Sequence, residues 1–170
     1  MADTPKYFYL NLQCAGITGN CQKTAHLQWL EVDSWSFSLT QPAMPVVGGG
    51  APKGAMATGS FHFDQKHSGP MIFQNVSTAN HIAGPAEFDA ERGGMAQASG
   101  VGTSPTKPYL ILQFWDFAIV GRDLQGGSGQ KDESITFAFS KVSLGYAQVL
   151  NGTMQGTVTK TYDQKSGQVS

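Results

Sequence analysis

Residues 34–40, which read Ser-Trp-Ser-Phe-Ser-Leu-Thr, have the clearest alternation of side chains in the sequence. Three large apolar side chains alternate with four hydroxyl side chains. Because successive side chains of a β-strand point to opposite sides, this pattern predicts a strand with one face toward a core and one polar face. The phase of the alternation changes near Glu31–Asp33, which predicts a bulge or bend just before this strand.

Similar alternations lie on both sides of this stretch. In one of them Leu27 and Trp29 alternate with His26 and Gln28. A second bulge is predicted near Ser140–Lys141, where the phase changes again. The other predicted strands are Tyr7–Leu12, Ser60–Asp64, Ala86–Glu91, Tyr109–Val120, Ser134–Tyr146 and Thr157–Tyr162. The strand at 86–91 is predicted to carry a solvent-facing acidic side formed by Glu87, Asp89 and Glu91.

One segment has the period of a helix rather than of a strand. Ser68 can cap it and Pro70 suits a first turn. The spacing predicts a helix over about residues 69–80, with one apolar stripe formed by Ile72, Phe73, Val76 and Ala79. Together these elements predict a mainly β fold, a small antiparallel β-barrel or sandwich with one flanking α-helix.

Composition narrows the classes of function. The chain has 170 residues, enough for one domain over 1–170, and its 11 Lys and Arg against 12 Asp and Glu give a net charge of −1. This balance argues against nucleic acid and anionic lipid as partners, since both need a basic excess. The sequence has no apolar run of membrane-spanning length and no signal-peptide core, so we expect neither membrane insertion nor signal-dependent export.

Several segments lack a strand or helix pattern, among them the loops Gln13–Thr24 and Gly121–Asp132. The segment 41–59 combines prolines and Gly48–Gly50 with the apolar residues Met44, Val46 and Val47. Apolar side chains in such an extended loop are unfavourable in water unless a partner covers them. Residues 93–108 are predicted to form a flexible loop, and residues 163–170 a polar tail.

No pattern of catalytic or metal-binding residues emerges from the sequence. The four histidines lack a ligand spacing and are expected to face solvent. No nucleophile motif or phosphate-binding loop precedes a helix, so we expect no enzyme activity, cofactor or metal. Cys14 and Cys21 leave two alternatives open, namely two reduced loop thiols or a disulfide across the base of a loop.

Five pieces of sequence, in order along the chain, resemble the hemolysin-coregulated protein (Hcp) family of bacterial type VI secretion. The 31–38 segment Glu-Val-Asp-Ser-Trp-Ser-Phe-Ser resembles a motif of the family, followed by Gln41 and the long glycine loop. The most specific match is the glycine run 126–129 followed by 133–142 and Tyr146. The other pieces are the opening strand Tyr7–Leu12, the strand 61–66 and the helix start Ser68-Gly69-Pro70, where a glycine separates the Ser and the Pro.

The resemblance implies a β-barrel subunit that assembles into hexameric rings, and rings that stack into a hollow tube. It implies partners beyond the chain itself, namely the type VI sheath and spike proteins and small effector proteins carried in the lumen. It also implies assembly in the bacterial cytoplasm followed by secretion without a signal peptide. Lumen-facing candidates are Ser34, Ser36, Ser38 and Thr40. The ring-stacking loop candidates are Met44, Pro45, Val46, Val47, Gly48, Gly49, Gly50 and Lys53.

Two other readings stay open at this point. A phage tail-tube-like structural protein would use the same physics and a similar fold. A β-sandwich carbohydrate-binding module would place Tyr7, Tyr9 and Trp29 together on one open surface. The orientation of these three rings therefore distinguishes the hypothesis of a carbohydrate-binding module from that of a tube subunit.

Overall fold

The computed structural model describes residues 6–40, 58–65, 70–78, 80–92, 108–125, 133–150, 153–165 and 168–170. Within them the chain forms ten strands, one α-helix and two short 3-10 turns, at Gln13–Ala15 and Thr24–His26. The strands and the helix, in chain order, are β1 Lys6–Asn11, β2 Leu30–Val32, β3 Ser34–Thr40, β4 Thr58–Gln65, α1 Pro70–Thr78, β5 His81–Ile82, β6 Ala86–Arg92, β7 Leu110–Leu124, β8 Glu133–Leu150, β9 Thr153–Asp163 and β10 Gln168–Val169.

All strand pairs are antiparallel and belong to one sheet. The main path runs β10-β9-β8-β7-β6-β1-β2, and the β3–β4 pair joins the first half of β8. The Asp33 amide donates to the Asp64 carbonyl at 2.9 Å, which brings the β2 end of the sheet against β4. The predicted mainly β antiparallel fold with one helix is confirmed.

An aromatic core fills the barrel. Phe61 lies at its centre, with ring centroids 5.0 Å from Phe114 and 5.1 Å from Phe137. These side chains come from β4, β7 and β8, along which the buried residues recur at every second position, so one face of each strand supplies the core. The fully buried phenylalanines are Phe61, Phe63, Phe88, Phe114, Phe117 and Phe137.

Both predicted irregularities occur in the structure. Asp33 forms a bend between β2 and β3. On β8 the buried positions change phase between Phe139 and Val142, and β7 changes phase opposite them at Asp116, which has a φ of 49°. Lys165 stabilises this corner by donating to the Asp116 carboxylate at 2.7 Å, and this hydrogen bond lowers the pKa of Asp116.

The strand pattern predicted for Leu27 and Trp29 is wrong. Leu27 and Gln28 form no strand, because the chain turns there through a 3-10 turn and a positive φ of 63° at Gln28. Residues 13–29, here called the strap, instead cover the outer face of β1 and β6. Gly19 allows the close approach of its two halves, since a Cβ there would lie 2.1 Å from the Trp29 carbonyl oxygen.

The acidic row on β6 does not face solvent as predicted, because the strap covers it. Asp89 and Glu91 are buried, and the His26 Nε2 lies 2.9 Å from the Asp89 carboxylate. Lys23 pairs with Glu91 from the same strap. The expectation that the histidines face solvent is thus wrong for His26, which is 2% exposed.

The helix α1 begins at Pro70 and ends at Thr78, within the predicted range. Ile72 is buried as predicted, but Phe73 is 61% exposed and lies outside the buried stripe. Asn75 joins the helix to the first 3-10 turn, because its side-chain amide donates to the Ala15 carbonyl at 3.4 Å. The predicted polar tail includes the short strand β10, in which Val169 pairs with Tyr162 of β9.

Candidate functional site: a polar sheet face

The polar side of β3 is continuous with the polar sides of β4 and β8. Directly paired residues of adjacent strands lie on the same face of a sheet. The strand register therefore aligns three cross-strand rows on one surface. These rows are Ser34–Asp64–Ser134, Ser36–His62–Thr136 and Ser38–Ser60–Ala138.

The same face extends across β7 to β5. Gly121 pairs with Thr136, and Ala118 pairs with both Ala138 and His81. This surface, here called the polar face, is thus five strands wide and consists of small or hydroxyl side chains with two imidazoles and, in its first row, the carboxylates of Asp64 and Asp123. Of the residues predicted to line a lumen, Ser34, Ser36, Ser38 and Thr40 all lie on it and are exposed.

The sequence pattern also indicates which residues of β4 and β8 point outward and can join the polar face. Phe61 and Phe63 point inward on β4, so Ser60 and His62 must point outward. The same argument applies to β8, where Ile135 and Phe137 are fully buried. What the sequence could not show is the register that places these outward residues beside those of β3.

A hydrogen-bond network connects the polar side chains at one end of this face. The His62 Nδ1 lies 2.8 Å from the Thr136 hydroxyl, and its Nε2 lies 2.8 Å from the Ser134 hydroxyl. Ser134 donates to the Asp64 carboxylate at 2.8 Å, and Ser34 also donates to it. Asp64 is buried at 5% exposure, so these two hydroxyls offset much of the cost of burying its charge.

The direction of these bonds limits the chemistry of the network. A carboxylate only accepts, so the Ser134 proton points to Asp64 and the His62 Nε2 donates to Ser134. In this arrangement His62 does not withdraw a proton from Ser134, as a general base would from a nucleophile. The network is suited to holding hydroxyls and an imidazole in fixed positions on a hydrophilic surface.

The aromatic residues of the carbohydrate-binding alternative do not share an open surface. Tyr9 is buried against the strap, with its ring 4.3 Å from that of His26. Burial and the nearby Glu91 carboxylate raise the pKa of Tyr9 to about 12. Trp29 is half-buried, with its ring edge-on to His26, whereas Tyr7 is exposed. These positions are typical of packing around His26 rather than of a sugar platform.

The remaining predicted positions are the two cysteines and the ring-stacking loop. Cys14 is an exposed free thiol and Cys21 a buried free thiol, and the disulfide between them stays a prediction. Burial raises the pKa of both thiols. The ring-stacking candidates Met44–Lys53 lie outside the described residues. Among the residues that the structure describes, no three His, Cys, Asp or Glu side chains come together as metal ligands.

The fold and this face define a class of protein, a small β-barrel subunit with a broad, polar sheet surface. The family model of the type VI secretion system effector Hcp matches residues 9–146. The chain therefore belongs to the Hcp family, whose members are secreted structural proteins of type VI secretion. No protein of curated function matches the chain by sequence.

Solved structures of Hcp proteins share this fold. Hcp1 from Salmonella typhimurium is 20% identical, with a TM-score of 0.73, and the match covers 97% of this chain and 99% of that chain. Hcp2 from Salmonella typhimurium is 23% identical, with a TM-score of 0.62 and coverage of 95% and 98%. A type VI secretion system effector from Yersinia pestis is 19% identical, with a TM-score of 0.58 and coverage of 94% and 99%.

No helix in the described part of the chain is long and apolar enough to span a bilayer.

Proposed function

We propose that this protein is a tube subunit of a type VI secretion system, which forms hexameric rings whose lumen is lined by the polar face. The observation that carries this proposal is the alignment of hydroxyl side chains over β3, β4 and β8 in a member of the Hcp family. A wall of small hydroxyls stays hydrated and offers few strong contacts. Small effector proteins of different surface chemistry can therefore be carried through it.

The stacking of rings is assigned to the loop candidates between Met44 and Lys53. Apolar side chains beside prolines and glycines are unfavourable in water and become covered when a second ring docks. In this proposal, stacking and contact with the sheath and spike proteins build the conduit, and the subunit is secreted with its cargo.

The ring itself is tested by electron microscopy and by solution mass of the purified protein at high micromolar concentration. Rings of six subunits are expected. A strictly monomeric species under these conditions would contradict the proposed function.

The lumen assignment is tested by gold labelling of a Ser36→Cys variant. A Cys14→Ser background removes the exposed native thiol, while the buried Cys21 is retained. We expect maleimide-coupled gold to appear at the centre of each ring. The matched control is Gln22→Cys on the exposed part of the strap, which should place the gold away from the lumen. Gold from Ser36→Cys at the outer rim would show that the polar face lies elsewhere.

The stacking assignment is tested by deleting residues Val46–Gly50. Rings should persist, because the strands and core residues described above lie outside this stretch, whereas stacking and secretion should fail. Counting stacked rings in micrographs and measuring the protein in culture supernatant read the two effects separately. Loss of the rings themselves would assign this loop to a contact within the ring.

A further inference from the structure

A pocket of about 340 Å³ lies on the outer face of β1 and β2, next to the strap. Its lining includes the phenol rings of Tyr7 and Tyr9, the carboxylates of Glu31 and Asp33, and Lys6 at the start of β1. Tyr9 pairs with Glu31 across the two strands, and alternation places Tyr7 on the same face of β1 as Tyr9. The pocket therefore combines two aromatic rings with two acidic groups.

The hydroxyl of Tyr9 is available to a ligand in this pocket. The Tyr9 side chain is 8% exposed, yet among the described residues its phenol oxygen has no hydrogen-bond partner. Buried side-chain hydroxyls usually have one. Burial first and the Glu91 carboxylate second raise the pKa of Tyr9 to about 12, so the phenol keeps its proton at neutral pH. It can therefore donate a hydrogen bond and accept another.

The strap shows which kind of group this surface accepts. On the β6 side of Tyr9, the ammonium of Lys23 lies 5.0 Å from the centre of the tyrosine ring and pairs with the Glu91 carboxylate. A cation over an aromatic face and beside a carboxylate is a stabilising arrangement. On the β2 side, Glu31 and Asp33 are exposed, and no ion pair joins them to a basic residue in the part of the chain that the structure describes.

We propose that this pocket binds the arginine side chain of a partner polypeptide. The guanidinium would stack on the ring of Tyr7, which is 47% exposed, and donate hydrogen bonds to the Glu31 and Asp33 carboxylates. Arginine fits better than lysine, because its planar group has five donors and stacks on aromatic rings, whereas an ammonium is a compact point charge. This site is separate from the polar face and does not depend on the proposed ring.

The charges around the pocket favour a cationic ligand. The carboxylates of Glu91 and Glu31 both contribute to the raised pKa of Tyr9, which indicates a negative potential at the phenol. Lys6 opposes this potential from the end of β1. We therefore expect binding to depend on the positive charge of the ligand and to become tighter when Lys6 is made neutral.

The test uses two pentapeptides, acetyl-Gly-Gly-Arg-Gly-Gly-amide and the same peptide with citrulline in place of arginine. Citrulline keeps the shape of arginine and has no charge. Saturation-transfer NMR with the purified full chain gives the Kd of each peptide. We expect a millimolar Kd for the arginine peptide and a Kd at least about 10-fold higher for the citrulline peptide. Equal affinities, or no binding of the arginine peptide at about 10 mM, would overturn the proposal.

Substitutions in the pocket locate the binding. The double variant Glu31→Gln, Asp33→Asn removes both charges and should raise the Kd of the arginine peptide about 10-fold, whereas Lys6→Ala should lower it about 2-fold. These side chains are exposed, so the melting curves should stay as in the native chain. The matched control Asp123→Asn, an exposed carboxylate on the polar face, should leave the Kd unchanged. Unchanged affinity in the double variant, or an equal loss in Asp123→Asn, would overturn the assignment.

Discussion

Two outer surfaces of the same sheet have the same alternating sequence pattern and different surroundings. On β3 the outward hydroxyls Ser36 and Ser38 are exposed, whereas on β6 the outward carboxylates Asp89 and Glu91 are buried beneath the strap. Alternation therefore shows which side chains avoid the core but not whether they meet water. On β6 the strap covers Asp89 and Glu91 and supplies them with partners, whereas Ser36 and Ser38 of β3 are exposed.

The largest expected effect follows from breaking the buried layer. His26→Ala removes the ring stacked on Tyr9 and leaves the Asp89 carboxylate without its imidazole partner at 2.9 Å. A buried charge that loses its partner costs about 3–5 kcal/mol, so the free energy of unfolding should fall by about that amount in urea denaturation. His81→Ala, at an exposed imidazole, is the control and should change it by less than about 0.5 kcal/mol. If the free energy of unfolding fell by less than about 0.5 kcal/mol in both variants, the contacts of His26 in the strap would add little to stability.

The Tyr9 phenol belongs to the same buried layer, and its raised pKa should make the free energy of unfolding depend on pH. Its pKa of about 12 in the folded chain exceeds the ordinary value of 10.0 because of burial first and the Glu91 carboxylate second. Below pH 10 both states are protonated and stability is unaffected. As pH rises from 10 to 12 the unfolded chain loses the proton first, so stability falls by up to about 2.7 kcal/mol.

Substitution checks this pH dependence. Tyr9→Phe should remove it from alkaline urea titrations, and Tyr7→Phe, on the same face of β1 but exposed to solvent, should retain it. An unchanged alkaline slope in Tyr9→Phe would assign the effect to another group.

A smaller effect is expected at the edge of the polar face, where one charge is buried. Asp64→Asn keeps the shape but loses one of the two acceptors used by Ser34 and Ser134, which should cost about 1–2 kcal/mol in urea denaturation. The control is Asp123→Asn, an exposed carboxylate on the residue that pairs with Ser134, with an expected change below about 0.5 kcal/mol. A neutral Asp64→Asn would show that the network adds no stability.

The sequence predicted local structure well and the surroundings of each element poorly. Strand β3, the helix at Pro70–Thr78 and the phase changes near Asp33 and Ser140 follow from side-chain periodicity, which depends on neighbours in sequence. The burial of His26 depends on the strap folding back over β6, a contact between residues 63 positions apart. No periodicity contains that information.

The same limit applies to the polar face. The four hydroxyls of β3 could be predicted as one row, but their alignment with His62 and Thr136 required the register of three strands. Likewise, Leu39 alternates like a core residue and is nevertheless 41% exposed, because it lines an open groove together with Leu144 and Tyr162.

The smallest expected effect is at the centre of the polar face. Replacing both Ser36 and Ser38 by Ala should change the free energy of unfolding by less than about 0.5 kcal/mol, since both side chains are exposed in the single chain. Rings of the double variant should form normally, because replacing two exposed hydroxyls by methyl groups adds neither charge nor bulk to this face. A loss above about 1.5 kcal/mol would show that these hydroxyls are held by contacts within the subunit. In that case the face would not be free to line a lumen, and the contrast with the buried carboxylates of β6 would disappear.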